Sequence, residues 1–178
     1  MLNDYLTSTR NASGNLLTGV FNNREAAELA YDILVGSGYN KNDINIMMSD
    51  ETRDKYFTNS RLSEGNIDNK ALEGLGVGSA IGGAIAGFAA AVAAIGTVLV
   101  VPGLGLVIAG PLAAGLAGAG AGGIAGGLTG ALVGSGIPGE RAKEYEEAIK
   151  AGGIVIAVQP KSDDDYRTLE SKWENINS

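Results

Sequence analysis

The sequence predicts an α+β protein: a small ferredoxin-like α/β layer formed by two flanking stretches and interrupted by a long glycine/alanine-rich antiparallel helical hairpin. Three observations point there. Residues 16–49 carry the pattern of a strand, a helix and a strand, and residues 137–176 that of a helix, a strand and a helix. Between Glu73 and Glu140 the chain has no Asp, Glu, Lys or Arg. Inside that gap glycine recurs every fourth residue, a spacing that keeps it on one helix face.

The elements follow in chain order. Residues 1–14 are polar and aperiodic and are expected to be a flexible tail. Leu16, Leu17, Val20 and Phe21 make a short strand, and Asn22 with Glu25 reads as a capping box at the start of a helix. Ala26, Leu29, Ala30, Ile33 and Leu34 give that helix its apolar face, and Gly36 or Gly38 ends it. Ile44, Ile46 and Met48 then alternate with Asn45 and Met47 as a second strand. Residues 51–73 are polar and crowded with charge, and read as a linker or short exposed helix.

The uncharged segment, 74–136, divides at Pro102, Gly103 and Gly105, a natural turn, with Pro111 suited to the first turn of a new helix. Helices over about 75–101 and 111–135 would each be about 38–40 Å long at 1.5 Å per residue, enough to cross a bilayer core. Gly118, Gly122, Gly126, Gly130 and Gly134 form the small-residue face of the second helix. Gly74, Gly78 and Gly82, continued by Ala86 and Ala90, form that of the first. Such faces let two backbones approach closely, which makes these ten residues the candidate helix-packing interface. The opposite faces carry Ile81, Ile85, Phe88, Val92, Ile95 and Leu99 in the first helix and Leu112, Leu116, Ile124, Leu128 and Leu132 in the second, which need lipid or protein around them.

Past the segment, Pro138 and Gly139 open a helix with Ala142, Tyr145, Ala148 and Ile149 on its inner face, stopped by Gly152 and Gly153. Ile154 to Val158 is an unbroken apolar run, as in a strand buried on both faces. Ser162 and Asp165 cap a closing helix striped by Tyr166, Leu169, Trp173 and Ile176. The stretches 15–50 and 137–178 thus make one split α/β domain, with one strand of the usual four missing or irregularly supplied.

Composition narrows the chemistry. With no Cys and no His, thiol nucleophiles, His-based triads and ordinary zinc sites are excluded, so an enzyme is not expected and neither is a cofactor or metal. A net charge of -7 argues against nucleic acid as a partner. Gly118 to Gly123 matches G-x-G-x-x-G but follows helix rather than strand, so it does not read as a dinucleotide site. Asp163, Asp164 and Asp165 suit a helix N-terminus better than a cation, and Glu144, Glu146 and Glu147 suit a solvated helix face. Tyr166 and Trp173 read as core anchors. The N-terminus lacks a basic start and apolar core, so the expected location is the cytoplasm or the cytoplasmic side of the membrane, and the sequon at Asn11 is incidental.

One resemblance stands out. The Asn-Arg-Glu-Ala-Ala helix start at 23–27, the Gly-Tyr approach to the second strand from Gly38, the Ala/Gly hairpin with its Val-Pro-Gly turn, and the run from Gly136 to Gly153 resemble the bacterial general-stress, or heat-induced-stress, protein family. The resemblance covers about residues 16–160 and implies a stress-associated protein without catalytic residues. Its expected partners are further copies of itself and membrane lipid. The alternative is a soluble homo-oligomeric ring, shell or filament with the hairpins packed together.

Overall fold

The computed structural model describes residues 16–58, 98–101, 105–114, 127–134 and 137–176. These build a mixed α+β structure around a five-stranded, wholly antiparallel sheet. The strands are β1 (Leu17–Phe21), β2 (Ile44–Ser49), β3 (Val98–Val101), β4 (Leu106–Ala109) and β5 (Ile154–Val158), in the spatial order β1-β5-β2-β4-β3. Because β5 runs antiparallel to both β1 and β2, those two are parallel to each other with β5 between them.

Helices cover both faces. On one lie α1 (Arg24–Gly36) and α5 (Asp163–Ile176), enclosing Phe21, Leu34, Ile44, Ile46, Ile154, Ile156 and Trp173. On the other lie α3 (Gly127–Gly134) and α4 (Gly139–Lys150), over Val20, Met47, Leu106, Ile108, Val155 and Ala157. Alternate residues of β1, β2, β4 and β5 enter opposite cores, as a period of two demands. A short α2 (Asp50–Arg53) leaves β2 and continues into a π-type turn at Asp54–Thr58.

Local chemistry accounts for the helix ends. Asn23, not Asn22, caps α1, its side-chain oxygen accepting from the Ala26 N–H at 2.8 Å. The chain then turns at Gly38 with φ of 80°. The Ser162 hydroxyl accepts from the Asp165 N–H at 3.1 Å, the expected cap of α5. Gly152 closes α4 with φ of 93°. Trp173 is buried, set edge-on to Phe21 with ring centroids 5.4 Å apart, and its indole N–H donates to the Ala30 carbonyl at 3.3 Å.

Other expectations are corrected as well. Helix was expected up to residue 101, but 98–101 and 106–109 are paired strands. Val98, Val100, Val101, Val107 and Ile108 are β-branched, and χ1 stiffness favours the pleated surface over the helix. The turn around Gly105, which has φ of 57°, therefore joins two strands rather than two helices. Leu29 was assigned to the inner face of α1 and is 56% exposed; Ala27 and Tyr31 point inward instead, because the helix is rotated toward α5. Residues 51–58, read as part of a linker or short exposed helix, form most of α2 and the π-type turn and are tied to the domain: Thr52 is buried, and the Arg24 guanidinium donates to the Tyr56 carbonyl at 2.9 Å. The tail at 1–14, the remainder of the linker and most of 74–126 lie outside the described residues.

Candidate packing interface

Three joints fasten the described parts of the uncharged segment to the domain. At the first, β4 pairs with β2 from Leu106 opposite Ser49 to Ala109 opposite Ile46, and the Gly105 carbonyl accepts from the Asp50 N–H at 2.7 Å. The second is Asn45, a buried amide between Ile44 and Ile46 in β2. Its Oδ1 accepts from the Leu112 N–H at 2.7 Å, and its Nδ2 donates to the Ala157 carbonyl at 3.2 Å. Asn45 therefore satisfies an early helical N–H in the turn that begins at Pro111, and it also bridges to β5. Gly110 makes this approach possible. It has φ of 104°, and a side chain there would collide with the Ile44 carbonyl oxygen and lie 3.0 Å from the Asn45 Cα.

The third joint is Glu146 on α4. One carboxylate oxygen accepts from the Thr129 N–H at 3.0 Å and also from the Thr129 hydroxyl. The other accepts from the Lys150 ammonium at 2.5 Å. Thr129 lies in the first turn of α3, where free N–H groups and the helix dipole favour an anion. These bonds hold the Glu146 carboxyl down at about 2, the Lys150 bond contributing most and the Thr129 hydroxyl next.

With its N-terminus so fixed, α3 turns Leu128 and Leu132 into the core, both buried. Part of the face expected to need a partner is thus satisfied by the protein's own sheet. Gly130 and Gly134 stand two residues from these leucines and so on the opposite side of the helix. Gly130 is half-buried and Gly134 exposed, a Cβ at Gly134 would meet nothing within 4 Å, and neighbouring Val133 is 45% exposed. The outer face of α3 is therefore small, uncharged and open within the described chain. Of the other predicted interface positions, Gly74, Gly78, Gly82, Ala86, Ala90, Gly118, Gly122 and Gly126 lie outside the described residues, as do Pro102 and Gly103. Pro111 heads a helical turn over 111–114.

The acidic residues have structural work. Asp165 accepts from the Tyr39 hydroxyl and, at 3.0 Å, from the Lys161 N–H, while the Lys161 ammonium donates to the Ser37 and Gly38 carbonyls at 3.2 and 2.8 Å. This ties the end of α1 to the start of α5. Glu144 pairs with Arg141 at 3.4 Å. Among the described residues no acidic cluster is arranged to hold a metal ion. Sequence reasoning missed the roles of Asn45 and Glu146. The first was signalled by one amide within an apolar strand, whereas Glu146 looks like any other acid on a charged helix.

Compared with protein-family models, with curated proteins and with solved structures, the chain finds no match.

Proposed function

We propose that the protein is a non-enzymatic, stress-associated protein of the general-stress type, which holds its uncharged segment against a membrane and self-associates through small-residue faces. The observation that carries this reading is the outer face of α3, where Val133 and Gly134 lie exposed and uncharged beside the half-buried Gly130, while Leu128 and Leu132 anchor the other side. The split strand-helix-strand arrangement, with β5 between β1 and β2, supports a ferredoxin-like reading of the domain in which the described residues supply no strand beyond β1 and β3–β4 are added at the far edge.

Strand pairing favours association over spanning. Residues 98–101 and 106–109 belong to the same sheet as β2, so a segment leaving at residue 58 and returning at 98 begins and ends on one side of any bilayer. It would have to cross an even number of times. Gly74 to Thr97 is 24 residues, and Gly115 to Gly126 is 12. Two crossings need roughly 40 apolar residues. Among the described residues no helix is long and apolar enough to cross a membrane.

The second reading, a soluble homo-oligomer, is favoured by Leu128 and Leu132, which show that part of the segment already serves as protein core. Flotation of the purified full chain with phosphatidylcholine vesicles separates the two. Co-flotation that survives high salt supports membrane association, because a chain of net charge -7 would then be held by apolar contact rather than by charge. Uniform oligomers that stay at the bottom of the gradient overturn it in favour of the soluble assembly.

A further inference from the structure

Glu28 on α1 is 6% exposed, although Glu25 and Leu29 of the same helix are open to solvent. Its Oε1 meets the Arg24 Nε at 2.6 Å. Through Nη1 the same guanidinium donates to the Tyr56 carbonyl, 32 residues away. One planar fork thus serves a buried carboxylate and the backbone of another element, a double task that suits arginine and not lysine.

The element it reaches is the stretch 50–58, made of α2 and the π-type turn. Its first half is fastened beside the sheet. The Asp50 N–H donates to the Gly105 carbonyl at 2.7 Å, the Ser49 hydroxyl accepts from the Thr52 N–H at 3.0 Å, and the Thr52 hydroxyl donates to the Gly152 carbonyl at 3.3 Å. Arg53 pairs with Asp50 and Asp54 at 3.1 Å each, bonds that stay inside the stretch. The second half, Asp54–Thr58, is π-helical, a rare geometry that recurs at functional sites, and Arg24 binds it to α1. Withdrawing an ion pair from water costs free energy that its own attraction only partly offsets. A joint made through Arg24 and Glu28 therefore opens more readily than one made of apolar side chains.

We propose that Asp54–Thr58 is a strap that opens and closes as a unit on an unchanged sheet, with the Arg24–Glu28 pair as its latch. Beyond Thr58 the chain runs on toward the uncharged segment, so the latch sets whether the root of that segment is fixed to α1 or free. The latch works in the same way whether the segment meets lipid or other copies of the chain.

Hydrogen exchange on the full chain tests this. The amides of Asp54–Thr58 should exchange at least about tenfold faster than those of Ile46 and Ile156, and with little dependence on added urea, the mark of local opening. Glu28→Gln removes the charge that fixes the guanidinium while keeping the side chain's shape. Arg24→Lys keeps the charge and loses the fork. Both variants should speed exchange in the strap by about a further tenfold, while Ile46, Ile156 and the α1 amide of Leu34 keep the parent's rates. Unchanged strap exchange in both variants overturns the proposal. So does equal acceleration of strap, α1 and sheet, which would make the pair a support of the whole domain. Strap exchange in the parent that follows the urea dependence of the sheet overturns it as well.

Discussion

Glu146 accepts both the backbone N–H and the hydroxyl of Thr129, so a single carboxylate joins the charged helix α4 to the glycine-rich helix α3. The pairing brings together residues 17 apart in sequence, one from the charged flank and one from inside the uncharged segment.

Since the Glu146 carboxyl is lowered from 4.5 to about 2 in the folded protein, its contribution is fully present above pH 4.5 and is lost as pH falls toward 2. Replacing it by Gln should weaken the attachment of α3 by about 1–2 kcal/mol at neutral pH, a charge-assisted bond being exchanged for a neutral one. Amide exchange at Thr129, followed from pH 7 to pH 2, reads this directly. The gap between Glu146→Gln and the parent should close at the acid end; a constant gap would mean that the charge is irrelevant.

Tyr39 gives a prediction at the opposite end of the pH scale. Its phenol is pushed up to about 12, mainly by burial and then by the bond it donates to Asp165. The folded value lies above the ordinary 10.0, so this contribution is complete below pH 10 and disappears as pH rises through 12. Burial also raises the phenols of Tyr31 and Tyr145, so a tyrosinate absorbance titration should show several late-ionising phenols and one fewer in Tyr39→Phe, a variant also expected to lose about 1 kcal/mol at neutral pH.

Gly110 and Asn45 should prove intolerant. Gly110→Ala combines a positive φ with a collision against the Ile44 carbonyl and should cost several kcal/mol. Asn45→Ala leaves the Leu112 N–H without its acceptor and should cost about 1–3 kcal/mol. Urea unfolding followed by Trp173, the one tryptophan in the chain, measures both.

A contrast between two glycines separates folding from association. A Cβ at Gly19 would lie 2.8 Å from the Trp173 ring, so Gly19→Ala should lower the unfolding midpoint. Gly134 faces open space, so Gly134→Leu should leave that midpoint unchanged while reducing oligomer size in light scattering. Oligomers of unchanged size in Gly134→Leu would remove α3 from the interface.

The flanks were legible because their patterns are local. Tyr166, Leu169 and Trp173 repeat at helical spacing and are buried, and Ile154 to Val158 reads as a strand buried on both faces and is one. The uncharged segment was harder to read, since Ala, Gly, Val and Leu carry little polar contrast from which to infer a period. There the β-branched runs at 98–101 and 106–108 were the informative signal, outweighed by the regular glycine spacing around them. Joints such as Asn45 with Leu112 depend on pairings 67 residues apart, which no local window contains. The sequence pattern of an amide in a strand shows that a partner is needed without showing which.

The position of β5 also has a consequence for how the protein is made. This strand lies between β1 and β2 in the sheet, yet it is the last to leave the ribosome, opposite Phe21 and Val20 at one edge and Ile46 and Met47 at the other. Until Ile154–Val158 is synthesised, β1 and β2 have no strand to join them, and the whole uncharged segment has already emerged. A nascent chain thus exposes its long uncharged stretch before the sheet can close around β5, and elongation pauses between Gly134 and Ile154 should lengthen that exposure and raise the demand for chaperones.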